Sequence, residues 1–405
     1  MVYVNHFSFL NAMGNTPEEI LQNWEENTSP GMKPAHGVLG KENQPLYGHV
    51  CAELPAVPAE YCPEHASRNN QLLLAALKDK ENVWKRLLAN TPADRIGVIL
   101  GTSTSGSEEA AGYIASALSE ASECSALPFS SYSQEMGDPA RFLAQYLNIK
   151  GPAYTICTAC TSSARAIMSG ARLIEAGVID AAIVGGADSF ARMPLNGFDA
   201  LGVLSSELTQ PLSADRSGIT IGEAVGLMWL SKEPTSPDIF PGVKSRPIVL
   251  LGAGESSDAY HMSSPEPHGK GAEEAIRRAL SNANLTPNEI DYLNLHGTGT
   301  PQNDAAECEA VNRVFGEKVV VSSTKPLTGH TLGAAGITDA LLAILTLCRP
   351  MTLPPQLNDP SKIDPNLVTV NWVKEATLVA PKRVMSNNFA FGGNNTSLIF
   401  ASLQD

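Results

Sequence analysis

Residues 155–167 read TICTACTSSARAI. A β-branched run gives way to a loop of Thr and Cys, then to a helix-forming stretch from about Ser162 to Ala176, which predicts strand, loop, helix. The same form returns later: VVVSSTK (319–325) predicts a strand, a Thr/Gly loop follows, and LGAAGITDALLAILTL (332–347) predicts a helix apolar on nearly every face and deeply buried. Small residues on both helices allow close packing in the middle of the molecule. RIGVILGTSTSG (95–106), DAAIVGGADSF (180–190) and PIVLLGAGESS (247–257) repeat the strand-into-loop pattern, and GKGAEEAIRRALSNA (269–283) is an amphipathic helix. Strands alternating with helices predict an α/β fold of two similar halves, 1–240 and 241–405. The joint is expected in SKEPTSPDIFPGVKSRP (231–247), the most Pro-rich stretch.

Composition narrows the function. The chain has 405 residues, enough for a large buried core, and 43% hydrophobic with 17% charged residues suits a compact enzyme. A net charge of −14 argues against nucleic-acid binding. No apolar run approaches the roughly 18–20 residues of a membrane span, and MVYVNHFSFLNAMGN does not read as a secretory signal. Seven scattered cysteines fit reduced thiols in a cytoplasm better than a disulfide framework.

Four segments carry chemistry. Cys160 falls where a strand has ended and a helix begins, with Thr161 and Ser162 as candidate caps. A thiol there feels the positive end of the helix dipole, which favours the thiolate, and the same N–H groups can hold an oxyanion. Cys157, inside the strand, reads as buried core. A zinc site would need a second ligand pair at short spacing, which is lacking, so no metal is expected. In NLHGTGTPQNDAAE (294–307), His296 ends a strand, and Thr298 and Thr300 suit hydrogen bonding to an extended polar chain. In STKPLTGHTLGAAG (323–336), His330 precedes the apolar helix, and Lys325 in so apolar a neighbourhood needs a partner, for which Glu307 is the natural candidate. In MSNNFAFGGNNTSLIF (385–400), aromatic residues beside paired glycines suit either a surface turn or a mobile gate over a pocket.

Together these motifs resemble the β-ketoacyl-acyl-carrier-protein synthases of the elongating type, among the thiolase-fold condensing enzymes. The resemblance runs over nearly the whole chain through TACTSS, HGTGTPQND, STKPLTGHTLGAAG and NNFAFGGNN. It implies a thiolase-like fold with α-β-α-β-α layers and decarboxylative condensation of malonyl-acyl-carrier protein with an acyl group on Cys160. The product is a 3-oxoacyl-acyl-carrier protein two carbons longer, in fatty-acid or related polyketide or aryl-polyene elongation. It also implies roles: His296 and His330 donate to the malonyl thioester oxygen, and Lys325 and Glu307 support them. Thr298 and Thr300 hold pantetheine, Phe198 touches the acyl chain, and Phe391 is the gate that shares an oxyanion hole with the Cys160 backbone. No cofactor is required beyond the phosphopantetheine of acyl-carrier protein, and a homodimer or a heterodimer with a paralogous chain is expected.

Branches of the resemblance separate on single residues. A thiolase needs a second cysteine near the C-terminus, the initiating synthases carry Asn at the place of His330, and a chain-length factor lacks the nucleophile. A silent partner subunit and a Cys–His acyl hydrolase remain as alternatives; the intact Cys160, His296 and His330 count against the first, and two histidines in separate Gly/Thr-rich turns against the second. The closing loop departs from the family's GFGGTN at Ala390 and Asn394, and Ala390 is expected to stiffen it. Ser217 replaces a usual aspartate. Only Arg68 and Arg192 stand out as basic residues for an acidic carrier.

Overall fold

The protein is described by a computed structural model for residues 1–39, 44–119, 130–234 and 246–403; most of the expected joint at 231–247 lies outside the described residues. Eleven runs of apolar residues form one sheet: β1 (Val2–Leu10), β2 (Ile96–Gly101), β3 (Ala153–Ile156), β4 (Ala181–Asp188), β5 (Ala224–Ser231), β6 (Ile248–Ser257), β7 (Tyr292–Asn294), β8 (Val320–Ser322), β9 (Asn371–Trp372), β10 (Arg383–Phe389) and β11 (Asn394–Ser402). Their order is β9-β8-β7-β10-β11-β6-β1-β5-β4-β2-β3.

That order contains the internal repeat. In one wing β3, β2 and β4 are parallel and are followed by antiparallel β5 and β1. In the other, β8, β7 and β10 are parallel and are followed by antiparallel β11 and β6. The wings meet where Val2, Tyr3 and Val4 pair with Leu250, Val249 and Ile248. Hydrogen bonding therefore runs unbroken from one half into the other.

Three cores fill the spaces between layers. Helices α1 (Arg68–Lys78) and α2 (Asp138–Tyr146) cover the outer face of the first wing. Beyond α3 (Ser162–Glu175) and α4 (Arg192–Ala200), α5 (Lys270–Ala283) and α6 (Pro301–Phe315) cover the outer face of the second. Helix α7 (Ala335–Cys348) packs with α3 in the central layer between the wings. Strand residues alternate between these cores: Val98 and Leu100 face outward and Ile99 inward, and Leu293 faces outward while Tyr292 faces inward. The result is the expected α-β-α-β-α layering. Helix α7 is buried from Ala335 to Leu347, as its unbroken apolar sequence requires.

The two central helices touch where side chains are smallest. A Cβ added at Gly336 would lie 2.4 Å from the Ala164 backbone nitrogen, so glycine sets the approach of α7 to α3. These helices follow β8 and β3, whose C-terminal ends, with that of β7, deliver three loops to one place, the usual site of function in parallel sheets.

Cys157 corrects an expectation. It is exposed rather than core, because β3 is the last strand of the sheet and no other element of the chain, among the described residues, pairs with its outer edge.

Gly336→Ala is expected to destabilise the protein by about 1–3 kcal/mol through overpacking. Gly112, a helical glycine with open space around it, is the control, because Gly112→Ala should be neutral or slightly stabilising. Thermal unfolding of both variants checks this. Equal midpoints for the two would contradict the close contact.

Candidate active site

After β3 the chain turns sharply through Thr158, Ala159 and Cys160. Ala159 has φ +51°, a left-handed conformation uncommon for a residue with a Cβ. The turn is tied down locally: Thr161 Oγ1 donates to the Thr158 carbonyl (2.7 Å), Ser162 Oγ donates to the Ala159 carbonyl (2.6 Å), and the Thr158 N–H donates to Ser162 Oγ (2.9 Å). Neither hydroxyl caps α3 as expected; both brace the turn that raises Cys160.

Cys160 is buried, and the backbone N–H groups of Phe391 and of Cys160 itself favour its thiolate. Burial pushes the thiol up to about 11, against the pull of the Phe391 N–H and the Lys325 charge. The expected lowering by the helix terminus is therefore reversed. Loss of water outweighs the pull of the N–H groups and of Lys325.

His330 Nε2 lies 3.0 Å from Cys160 Sγ. Its Nδ1 accepts from the Leu332 N–H at 3.3 Å, so the neutral ring carries its proton on Nε2, aimed at the sulfur. Burial, reinforced by Lys325, lowers His330 to about 3. His296 leaves the end of β7 and meets His330 edge to face, with ring centroids 5.2 Å apart. Burial first, then Lys325 and His330, holds it well below the usual imidazole range. One ligand atom from each of Cys160, His296 and His330 falls within 4.8 Å of the others. Both imidazoles are neutral near pH 7 and serve as hydrogen-bond partners rather than cations.

The supporting pair differs from expectation. Lys325 Nζ donates to Asp339 Oδ2 at 2.8 Å, with both side chains 1% exposed. Asn388 Nδ2 donates to the same oxygen at 2.8 Å. Glu307, on α6, instead accepts the backbone N–H groups of His296 (2.8 Å) and Gly297 (2.7 Å) and fixes the loop rather than the lysine. Burial pushes its carboxyl up to about 7. The missed signal was in the sequence: Asp339 is the single charged residue of the apolar stretch 332–347 and needed a cation.

A second buried carboxylate went unread. Asp188, at the end of β4, accepts from Thr102 Oγ1, Thr104 Oγ1 and the Ser103 and Thr104 N–H groups at 2.7–2.8 Å, and from the Ala334 N–H at 3.1 Å. It ties the loop after β2 to the start of α7, beside the nucleophile.

Two cavities meet at Cys160. One of about 190 Å³ is lined by His296, His330, Thr298 and Thr300, whose hydroxyls are 3.1 Å apart. The other, about 370 Å³, is lined by Ala159, Met193, Leu201 and Leu332. Phe198 and Phe391 border both, with rings 5.6 Å apart, and so stand between them. The loop carrying Phe391 is pinned by bonds from the Gly392 N–H to the Met262 carbonyl (2.9 Å) and from the Asp258 N–H to the Gly393 carbonyl (2.8 Å). Gly392 and Gly393 have φ +82° and +76°, whereas Ala390 is absent from the left-handed residues. In this closed arrangement Ala390 costs nothing in backbone strain.

Arg68 and Arg192 are engaged: Arg68 grips the buried Glu223 through Nε (2.8 Å) and Nη2 (2.6 Å), and Arg192 Nε donates to Glu108 (2.7 Å). Among the described residues no helix is long and apolar enough to cross a membrane.

Residues 64–235 match the family model for the beta-ketoacyl synthase N-terminal domain, and 248–359 that for its C-terminal domain. The chain is 36% identical to 3-oxoacyl-[acyl-carrier-protein] synthase 2 of Vibrio harveyi over 333 residues, 77% of each chain. It is 49% identical to a chain of the complex between the ketosynthase ApeO and its chain length factor ApeC from Xenorhabdus doucetiae, covering 99% of this chain and 98% of that one with a TM-score of 0.93. The ishigamide ketosynthase/chain length factor is 26% identical, covering 100% and 99%, with a TM-score of 0.86. Fold, site and comparisons agree that this chain belongs to the β-ketoacyl synthase family of condensing enzymes.

Proposed function

We propose that Cys160 carries the acyl group during condensation with malonyl-acyl-carrier protein, and that His296 and His330 drive the loss of carbon dioxide. One observation carries this reading: a buried thiol 3.0 Å from His330 Nε2 faces two neutral imidazoles where a polar and an apolar cavity meet.

The steps follow from the geometry. Cys160 Sγ attacks the acyl thioester, the carrier's pantetheine thiol leaves with the proton, and the acyl chain lies in the larger cavity. Malonyl-acyl-carrier protein then places its arm in the smaller cavity, beside Thr298 and Thr300. The carbon–carboxylate bond breaks, carbon dioxide leaves, and the enolate oxygen accepts from the ring N–H groups of His296 and His330. The enolate carbon attacks the Cys160 thioester, whose oxyanion sits on the Cys160 and Phe391 N–H groups. Collapse releases a 3-oxoacyl chain two carbons longer, and one proton from solvent restores the thiol. These steps need no metal or redox group. Lys325 and Glu307 act behind the imidazoles, the first by charge and the second by holding the loop, and Phe391 with Phe198 gates passage between the cavities. The chain functions in two halves, 1–240 bringing the nucleophile and 241–405 the histidines and gate.

We read the chain as the catalytic member of a pair with a paralogous chain, working on carrier-bound acyl groups in the cytoplasm. The near full-length likeness to a chain of a complex between a ketosynthase and its chain length factor supports the pairing, and the intact Cys160 supports reading this chain as the catalytic member.

Cys160→Gln is expected to keep malonyl decarboxylation while abolishing condensation, measured by carbon dioxide release and product analysis. Adding His296→Ala or His330→Ala to it should cut decarboxylation at least about 100-fold; unchanged release would remove that residue from the oxyanion role. Because His330 is lowered to about 3, its neutral form persists throughout the range above pH 5. Carbon dioxide release by Cys160→Gln should therefore show no loss from imidazole protonation between pH 8 and pH 5. A fall near pH 7 that Glu307→Gln removes belongs to the Glu307 carboxyl, raised to about 7, and one that persists in Glu307→Gln would contradict this. A thiol near 11 gives a thiolate fraction that rises roughly tenfold per pH unit. Alkylation of Cys160 by iodoacetamide should accordingly climb without a plateau through pH 9; a plateau near neutrality would mean an activated thiolate.

A further inference from the structure

The short-spacing rule that argued against a metal site does not apply to ligands gathered from distant loops. Cys160, His296 and His330 come from the loops after β3, β7 and β8, and all three are buried. We infer that these three side chains also form a binding site for a soft divalent cation, Zn²⁺ foremost, and that its occupation switches the enzyme off.

The donor set matches the ion. A thiolate with two imidazoles is a ligand combination that tetrahedral zinc accepts, with a fourth position left open. Zinc bonds of about 2.3 Å to sulfur and 2.0–2.1 Å to nitrogen place tetrahedral donors roughly 3.3–3.6 Å apart. Here Sγ and His330 Nε2 are 3.0 Å apart, and the whole set lies within 4.8 Å. Small side-chain movements bring the three onto one ion. The fourth position opens into the 190 Å³ cavity that lines the same residues, which is the route of entry.

The surroundings permit a cation. The nearby Lys325 charge acts against a cation, as it does on both imidazoles, and Asp339 at 2.8 Å from its Nζ offsets it in part. Ligation through Nε2 moves each ring's proton to Nδ1. On His296 that nitrogen is buried without an acceptor, and on His330 it faces the Leu332 N–H, so both rings must turn as the ion binds. Zn²⁺ replaces the thiol proton, which passes to solvent, and no electron moves. Metal-bound sulfur cannot accept an acyl group, so metal and acyl donor exclude each other.

Co²⁺ supplies the test, because a cobalt–thiolate bond gives a near-ultraviolet charge-transfer band and a tetrahedral site gives intense visible bands. The full-length protein should bind one equivalent of Co²⁺ with both signatures, and Zn²⁺ should displace it. Both signatures should vanish in Cys160→Ala and in wild-type protein capped with iodoacetamide at Cys160. They should survive in the triple variant Cys51→Ser, Cys62→Ser, Cys157→Ser, which removes the exposed thiols among the described residues. His296→Ala and His330→Ala should each weaken binding at least about tenfold, the size seen when even outer partners of a metal are lost. Signatures that persist after capping, or that disappear only in the triple variant, would overturn the proposal. The readout needs no turnover: condensation without the cobalt bands removes only the metal site, and cobalt bands without condensation remove only the catalytic reading.

Discussion

Exclusion of water from a lysine, two imidazoles and a thiol at the same spot governs this protein. Each group is buried, and each responds as desolvation dictates: the imidazoles stay neutral and the thiol stays protonated. The Lys325 ammonium is the exception. It stays buried because Asp339 neutralises it at 2.8 Å, and removing one partner of such a pair costs about 3–5 kcal/mol. Its charge then reinforces burial on both histidines. A site that must donate to a developing enolate needs neutral donors that do not titrate near pH 7, and this arrangement supplies them.

The fold makes that burial possible by using one strand order twice. Each wing offers parallel strands whose C-terminal ends converge, and the wings join through β1 and β6. Cys160 comes from one wing and both histidines from the other. Their meeting depends on α3 and α7 lying closer than ordinary side chains allow, which Gly336 against Ala164 permits. Catalytic geometry thus rests on a packing contact in the central layer. The carboxylate of Asp188 adds a polar tie across the same seam.

Much of this was legible in the residues. Cys160 at a strand-to-helix turn, histidines in Gly/Thr-rich loops and a paired-glycine gate are local patterns, and local patterns survive folding. The failures share a cause, since each turned on a neighbour distant in the chain. Lys325 was matched to Glu307 because Glu307 lies in a motif, yet the lone acid of the buried helix was the better partner. Cys157 reads as core from its place at a strand, whereas β3 ends the sheet and leaves it exposed. The thiol was expected to ionise easily because a helix terminus is visible in sequence, while the depth of burial is not. Arg68 and Arg192 remain at least partly exposed, but each also holds an acid distant in the chain, Glu223 and Glu108, that no local pattern shows.

The central claim is that Cys160 holds the acyl chain and passes it to a decarboxylated malonyl unit. Intact-protein mass spectrometry after mixing the protein with a panel of acyl-carrier proteins, before and after malonyl-carrier protein is added, tests it most directly. The account predicts an acyl adduct on Cys160 that disappears as a product two carbons longer forms on the carrier. An adduct on another residue, or one discharged as free acid, would contradict it.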